Sequence, residues 1–526
     1  MNKKAILVFL SAFFQVSIQA ADEKDDFYNA AVVEFAPSRV QKTNLEQYEW
    51  FIQQAKQAGV DIIVFPERTL HGLDGDIEDK YTEIPDPESK VIPCNNQNYS
   101  KWELLESLSC AALDNTIYVV VNILERVSCN RSESKCNRDG LFVYNTNVVF
   151  DRTGTVISRY RKFNLHNEPS ITTTDEPEFQ VFDTDFGVRF GVFTSFDILF
   201  KTPAVDLIEK YNVTNFVHPS YWYGELPFNT AIQIQSGWSY AMNVNLLAAG
   251  AIRPLTGTGG SGIYVGRIGP PIFSMHECEE SMALISAVPK NVRQARGVSP
   301  NHFTKTVLTN KKGESSGRKN EFQLQKDPTV MDSKTFVLTD HETELDEEVC
   351  SGSSLCCRFR ATYRVNPEAV NKHYRYRALA YQGDKTFTEG VTGGVEACAI
   401  ILCTGPAIWE CGRRPEPSYE YIYDFKNIHI EARFSSNQTI QMPNIILGSE
   451  VPGRKTKMIL MGSGYYDFQT KEEGATRTVT MTLKAGARNI ITFGIYSRDF
   501  TKNGALTLRH SIFTLIVTLF FVKCFK

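Results

Sequence analysis

Apolar and polar positions along this chain alternate with two periods, and the periods take turns. Tyr28 to Phe35 reads as a strand, and Thr43 to Ala58 carries Leu45, Tyr48, Ile52 and Ala55 at helical spacing. Gly59 ends that helix, and Ile62-Ile63-Val64-Phe65 is a short buried strand running straight into Pro66-Glu67. An extended segment with Pro85, Pro87 and Pro93 leads to a helix at Lys101 to Leu113 and a β-branched strand at Tyr118 to Leu124. A hairpin is predicted from Tyr144 to Phe150 and Thr155 to Tyr160, turning on Asp151-Arg152-Thr153-Gly154, with Lys162 just past its end. Val188 to Phe193 is a buried strand that passes without a loop into a helix, and Ser195 sits at the junction. Alternation continues with a helix (Val205 to Tyr211), a strand (Asn215 to His218), a helix (Thr230 to Met242) and a strand (Leu246 to Ala251). A glycine-rich loop, Gly257 to Gly262, precedes the strand Ile263 to Val265.

Strand–helix alternation of this length predicts an α/β domain over residues 26–300. Residues 310–330 are polar, charged and without periodicity, and read as a linker. Over residues 331–497 the texture becomes short β-prone runs separated by turns. Six cysteines fall there (Cys350, Cys356, Cys357, Cys398, Cys403 and Cys411), which predicts a smaller β-rich, disulfide-stapled domain.

The ends read as targeting segments. Lys3 and Lys4 precede an apolar run and Gln19-Ala20-Ala21, the layout of a secretory leader over residues 1–20. Ile512 to Val522 is apolar but short for a membrane span. Small residues at Asn503-Gly504-Ala505 precede it, so residues 504–526 read as the propeptide of a glycolipid anchor attached at Asn503, with a tail anchor as the alternative. Glycosylation sequons stand at Asn98, Asn130, Asn212 and Asn437. The chain has 12 cysteines; with Cys524 in the tail, eleven remain, an odd number that predicts an unpaired thiol without saying which. No CxxC or HExxH spacing occurs, so no metal and no cofactor is expected. A net charge of −4 and the lack of a basic run argue against a nucleic-acid partner.

Three polar residues therefore lie at strand ends of the first domain: Glu67, Lys162 and Ser195. A carboxylate at the tip of a buried strand can act as a base, and a nearby lysine can stabilise an oxyanion. The Phe196 N–H, next after a nucleophile, would be a second oxyanion donor. Ser195 can be that nucleophile or an ordinary helix N-cap.

The strings around these residues point further. Phe65-Pro66-Glu67, Arg159-Tyr160-Arg161-Lys162-Phe163-Asn164-Leu165 and Phe193-Thr194-Ser195-Phe196-Asp197-Ile198-Leu199-Phe200 resemble the nitrilase superfamily, and within it the vanin and biotinidase branch. Asp183 to Gly191, Pro203-Ala204-Val205, Ser236 to Asn245 and Gly260-Ser261-Gly262-Ile263-Tyr264 agree in order and spacing. The resemblance implies a four-layer α-β-β-α sandwich followed by a vanin-type β-rich domain. It also implies a Glu–Lys–Cys triad cleaving linear C–N amide bonds, of pantetheine in vanins and of biotinyl amides in biotinidase. Members are extracellular and vanins are commonly glycolipid-anchored, so a small-molecule amide and the outer face of the plasma membrane are the implied partners; the oligomeric state stays open. Glu67 matches the base, Lys162 the triad lysine, and residue 195 the nucleophile, which here is serine instead of cysteine. A serine hydroxyl is far less acidic than a thiol and normally requires an oriented histidine. His71, His166 and His218 lie near strand ends and offer a rearranged Ser–His pair as one alternative. Glu168 is a further carboxylate close after the lysine motif. The expectation is an amide-hydrolase relative whose turnover is absent or strongly reduced, the alternative to residual catalysis being a pseudoenzyme that binds a pantetheine-like ligand.

Overall fold

The computed structural model describes residues 26–72, 81–295, 303–310, 322–340, 343–352, 354–368, 373–416, 421–448 and 458–505. The leader at residues 1–20 and the apolar tail Ile512 to Val522 lie outside the described residues. Among the described residues no helix is long and apolar enough to cross a membrane.

The first half is built on two facing sheets. A seven-stranded sheet runs, edge to edge, through Lys305–Thr309, Met282–Pro289, Phe27–Glu34, Ile62–Val64, Tyr118–Ser128, Leu141–Phe150 and Val156–Arg161. A six-stranded sheet runs through Gly269–Ser274, Ser261–Val265, Asn245–Gly250, Asn215–Ser220, Arg189–Val192 and Val181–Asp183. The central strands of both sheets are parallel. Side chains alternate between two cores, as the pleat requires. Ala30, Val32, Ile62, Val64 and Val120 meet the second sheet through Val192, Val217 and Leu247. Ala31, Val33, Ile63, Phe65 and Val119 face the helices Gln41–Gln57 and Glu103–Asn115 through Leu45, Tyr48, Leu105 and Leu108. The outer face of the second sheet is covered by the helix Ala231–Met242, whose Trp238 ring meets Phe216 at 5.4 Å and Phe193 at 5.3 Å. The layers are thus helix, sheet, sheet, helix, the sandwich expected from the sequence.

The second half is strand-rich, with a six-stranded and a five-stranded sheet packed over one apolar core. Cys357–Cys398 joins the two sheets, and Cys350–Cys356 and Cys403–Cys411 close short loops beside them. Cys94–Cys110 and Cys129–Cys136 lie in the first half, and Cys278 is the free cysteine among the described residues. The two halves pack closely: a Cβ on Gly237, in the helix Ala231–Met242, would stand 2.6 Å from the Pro443 carbonyl oxygen. Gln233 Nε2 donates to Asn444 Oδ1 across the same seam at 2.7 Å.

Three local readings differ from the structure. The described end of the polar stretch before the second half is not a free linker. Gln325–Lys326 pairs with Glu225–Leu226, Thr329–Asp332 is helical, and Phe322 and Asp327 are buried. Its polarity serves buried ion pairing, which composition alone renders as solvent exposure. The last strand, Ile490–Ala505, carries the sheet past Ser497 and through Asn503, because its pairing with Val391–Cys403 continues to Ala505. The element after the Ser195 junction is a short 3-10 turn, Ser195–Leu199, and its cap is Thr194. Ser195 is therefore not the N-cap. The Thr194 N–H donates to Asp197 Oδ2 at 3.0 Å, and Ser195 itself has a left-handed φ of 44°.

Candidate active site

Each site residue sits just beyond the C-terminal end of a strand, where α/β sheets open a crevice. Glu67 follows Ile62–Val64, Lys162 follows Val156–Arg161, Ser195 follows Arg189–Val192 and Tyr221 follows Asn215–Ser220. The two sheets face each other, so the four tips converge on one cavity of about 400 Å³. Glu67, Lys162 and Ser195 are 1, 3 and 3% exposed, which removes bulk water from their mutual interactions.

Lys162 Nζ donates to Glu67 Oε1 and to Glu168 Oε2, both at 2.7 Å. Burial opposes the ammonium charge, yet Glu168 and Glu67 outweigh it and hold the Lys162 pKa above its ordinary value. Burial would likewise raise Glu168, but the Lys162 charge and hydrogen bond win and its pKa is lowered. Asn145 Nδ2 bridges the same carboxylates, 2.7 Å from Glu67 Oε1 and 2.8 Å from Glu168 Oε1. Arg68 closes the outer side, with Nη1 3.5 Å from Glu168 Oε1.

The other oxygen of Glu67 faces the serine. Tyr221 N–H donates to Glu67 Oε2 at 2.9 Å and, more weakly, to Ser195 Oγ at 3.4 Å. The Ser195 hydroxyl in turn donates to the Tyr221 carbonyl at 3.3 Å. The serine is thus held by the backbone N–H and C=O of one residue, Tyr221, beside the carboxylate. A non-glycine residue with positive φ costs about 1–3 kcal/mol and persists only where the surroundings impose it. Here the surroundings are explicit. Asp197 accepts from Tyr160 Oη at 2.7 Å and from the Asn164 backbone and side chain at 2.8 Å each. Asp197 thereby ties the serine turn to the strand end that carries Lys162. Its burial, only partly offset by these donors, raises its pKa to about 6.

The histidines take other partners. His71 Nε2 accepts the Leu124 N–H at 2.9 Å. The His166 ring tilts against Phe196 at 4.8 Å, and burial and the Lys162 charge lower its pKa. His218 is fully buried against Phe193, and burial lowers its pKa to about 3, so it is a neutral packing residue. The rearranged Ser–His pair is not formed. Phe196 lies in the first turn of the Ser195–Leu199 helix and lines the cavity, so its N–H stands beside the serine.

Residues outside the expected set complete the framework. Asn122 Nδ2 donates to Asn145 Oδ1 at 2.7 Å and to Asn147 Oδ1 at 2.9 Å, and Asn147 Nδ2 donates to Thr194 Oγ1 at 2.8 Å. A chain of buried amides therefore links the Glu67 and Lys162 side to the serine turn. Asn145 and Asn147 carry one faint signal, as amides one period apart in the polar run Asn145-Thr146-Asn147 of a mostly apolar strand. Tyr221 acts through its peptide, which carries no side-chain signal.

This architecture meets matching relatives in sequence. Residues 29–224 match the carbon–nitrogen hydrolase family, and residues 322–503 match the Vanin C-terminal domain family. Vanin-like protein 2 of Drosophila melanogaster is 35% identical over 510 residues, covering 93% of this chain and 93% of that protein. The chain belongs to the vanin branch of the nitrilase superfamily. The Pantetheinase of Homo sapiens is 31% identical to this vanin-family chain over 484 residues, covering 90% of this chain and 87% of that protein. A crystal structure of Saccharomyces cerevisiae Nit3, described as a member of branch 10 of the nitrilase superfamily, is 19% identical with a TM-score of 0.40, covering 52% of this chain and 95% of that one. Membership in the vanin branch makes the convergent Glu67, Lys162 and Ser195 the natural place to look for amide chemistry, with serine at its centre.

Proposed function

We propose that this vanin-family chain binds small linear amides of the pantetheine or biotinyl type in the Glu67–Lys162–Ser195 cavity, and that amide hydrolysis there is absent or strongly reduced. The observation that carries the reading is Ser195 itself. Its hydroxyl is engaged by the Tyr221 backbone, and Glu67, with which it shares the Tyr221 N–H, is already bonded to Lys162 and Asn145. A lone carboxylate suits a thiol, whose ordinary pKa is near 8.5, far better than an alcohol. In the reading, Glu67 is the resident base, Lys162 and the Phe196 N–H are the oxyanion donors, and Ser195 occupies the nucleophile position. The charges that would orient an amide carbonyl are all retained, which favours ligand binding over a purely structural remnant.

A second reading has one observation in its favour: the left-handed φ of Ser195 preserves the strained presentation typical of functional turns. Slow turnover would then proceed by attack of Ser195 Oγ on the amide carbon while its proton passes to Glu67. The C–N bond would break as that proton moves to the leaving amine, and water would hydrolyse the resulting ester. Both readings place the protein outside the cell, held by a glycolipid anchor. The leader and tail patterns support this, as do five disulfides, which persist in oxidising compartments. Asn98, Asn130, Asn212 and Asn437 are all exposed, as glycan acceptors must be.

Thermal unfolding of the ectodomain with pantothenate tests the binding reading. A ligand at a hundred times its Kd that binds only the folded state adds about 2.7 kcal/mol, so the Tm should rise with concentration and saturate. A Tm that stays flat across millimolar pantothenate and biotin would sink it.

A further inference from the structure

The cavity is not walled by the hydrolase-like half alone. The strand Arg375–Thr388 of the second half reaches back to it, and both Lys385 and Phe387 line the same space as Ser195. Lys385 is buried, and its ammonium donates to Glu225 and, at 2.9 Å, to Asp327. These carboxylates come from the first half and from the segment between the halves, so three parts of the chain meet at one charge. Burial works against that charge, but Asp327 and Glu225 hold the ammonium protonated. Asn229 Nδ2 secures Asp327 from the other side at 2.8 Å.

The Lys385 anchor holds the end of its strand in place. Thr386 pairs with Thr392 and Thr388 with Val391, which leaves Phe387 as the extra residue of a bulge. Bulges re-aim side chains, often next to functional sites. The Phe387 ring meets Phe196 edge-on at 5.5 Å and Phe200 at 6.2 Å. The Arg498 guanidinium stands over it at 4.7 Å, with Nε donating to the Leu199 carbonyl at 2.8 Å. The Thr388 hydroxyl donates to Asn167 Oδ1. The bulge therefore grips both the loop that carries Glu168 and the turn that carries Ser195.

We propose that Phe387 is a specificity-determining residue contributed by the second half: the chain of a bound amide packs against its ring, so the ligand lies between the two halves. This rests on the reading of the cavity as an amide-binding site. The ligand chemistry it selects is an amide whose acyl chain carries an apolar stretch next to the carbonyl, matching the Phe196–Phe387 edge.

Two measurements on the full ectodomain separate the inference from the reading beneath it. In calorimetric titration with pantetheine, Phe387→Ala should weaken binding about tenfold and Phe387→Leu, which keeps apolar contact, by less. If the natural protein binds pantetheine and Phe387→Ala binds it equally well, the inference is overturned while the reading stands. If the natural protein does not bind pantetheine, the reading falls, and access to the cavity then decides the inference. For that, the thiol introduced by Ser195→Cys is alkylated with iodoacetamide and with N-benzyl iodoacetamide, modification at position 195 being followed by peptide mass spectrometry. Adding Phe387→Ala should raise the rate of the bulkier reagent relative to the smaller one several-fold. An unchanged ratio would show that Phe387 does not wall the cavity.

Discussion

Glu67 and Lys162, which come from different strand ends 95 residues apart, stand 2.7 Å apart with almost no exposure to solvent. A buried ion pair gains little over an apolar pair, but removing one partner leaves an uncompensated charge and costs about 3–5 kcal/mol. Here two carboxylates, Glu67 and Glu168, depend on one ammonium. Lys162→Met should therefore lower the stability of the natural protein by about 3–5 kcal/mol, read as a shift in the urea midpoint at unchanged slope. A change under about 1 kcal/mol would mean that the trio is open to water.

The seam between the two halves makes a separate prediction. A methyl on Gly237 would press on the Pro443 carbonyl oxygen, which is backbone and has little room to move. Gly237→Ala should cost about 1–3 kcal/mol although alanine is the better helix former. Stabilisation in thermal unfolding would show that the halves are not packed at this point.

His218 governs part of the acid response. Its folded pKa of about 3 lies below the ordinary value of 6.5, so the unfolded chain binds the proton first as pH falls. Its contribution to stability is complete above pH 6.5 and is lost progressively below it, down to about pH 3. The Tm of the natural protein should fall more steeply between pH 6.5 and 4.5 than that of His218→Gln. Parallel curves would mean that His218 has no part in the acid response.

The parts legible in the sequence are those whose chemistry and periodicity coincide. Glu67 and Ser195 each follow a short apolar strand and Lys162 follows the alternating second strand of a hairpin, so their placement at strand tips can be read directly. Ser195 reads as a cap because Thr194 and Ser195 are both good cap residues, and only the backbone distinguishes them. Asn122, Asn145 and Asn147 are hidden in apolar strands, where their buried amide chain depends on cross-strand register. Lys385 and Phe387 lie some 190 residues beyond Ser195 on another half of the chain, and no local pattern connects them to the cavity. Asp327 reads as linker because a charge buried by a distant lysine looks the same in sequence as one in water.

The central claim is that the cavity is built for amides while its serine limits turnover. Pantetheine hydrolysis by the purified ectodomain, measured beside Ser195→Cys under identical conditions, addresses it most directly. The natural protein should turn over near the uncatalysed baseline, and Ser195→Cys should reach a kcat/KM at least about a thousandfold higher. Equal rates for the two proteins, whether both high or both nil, would contradict it.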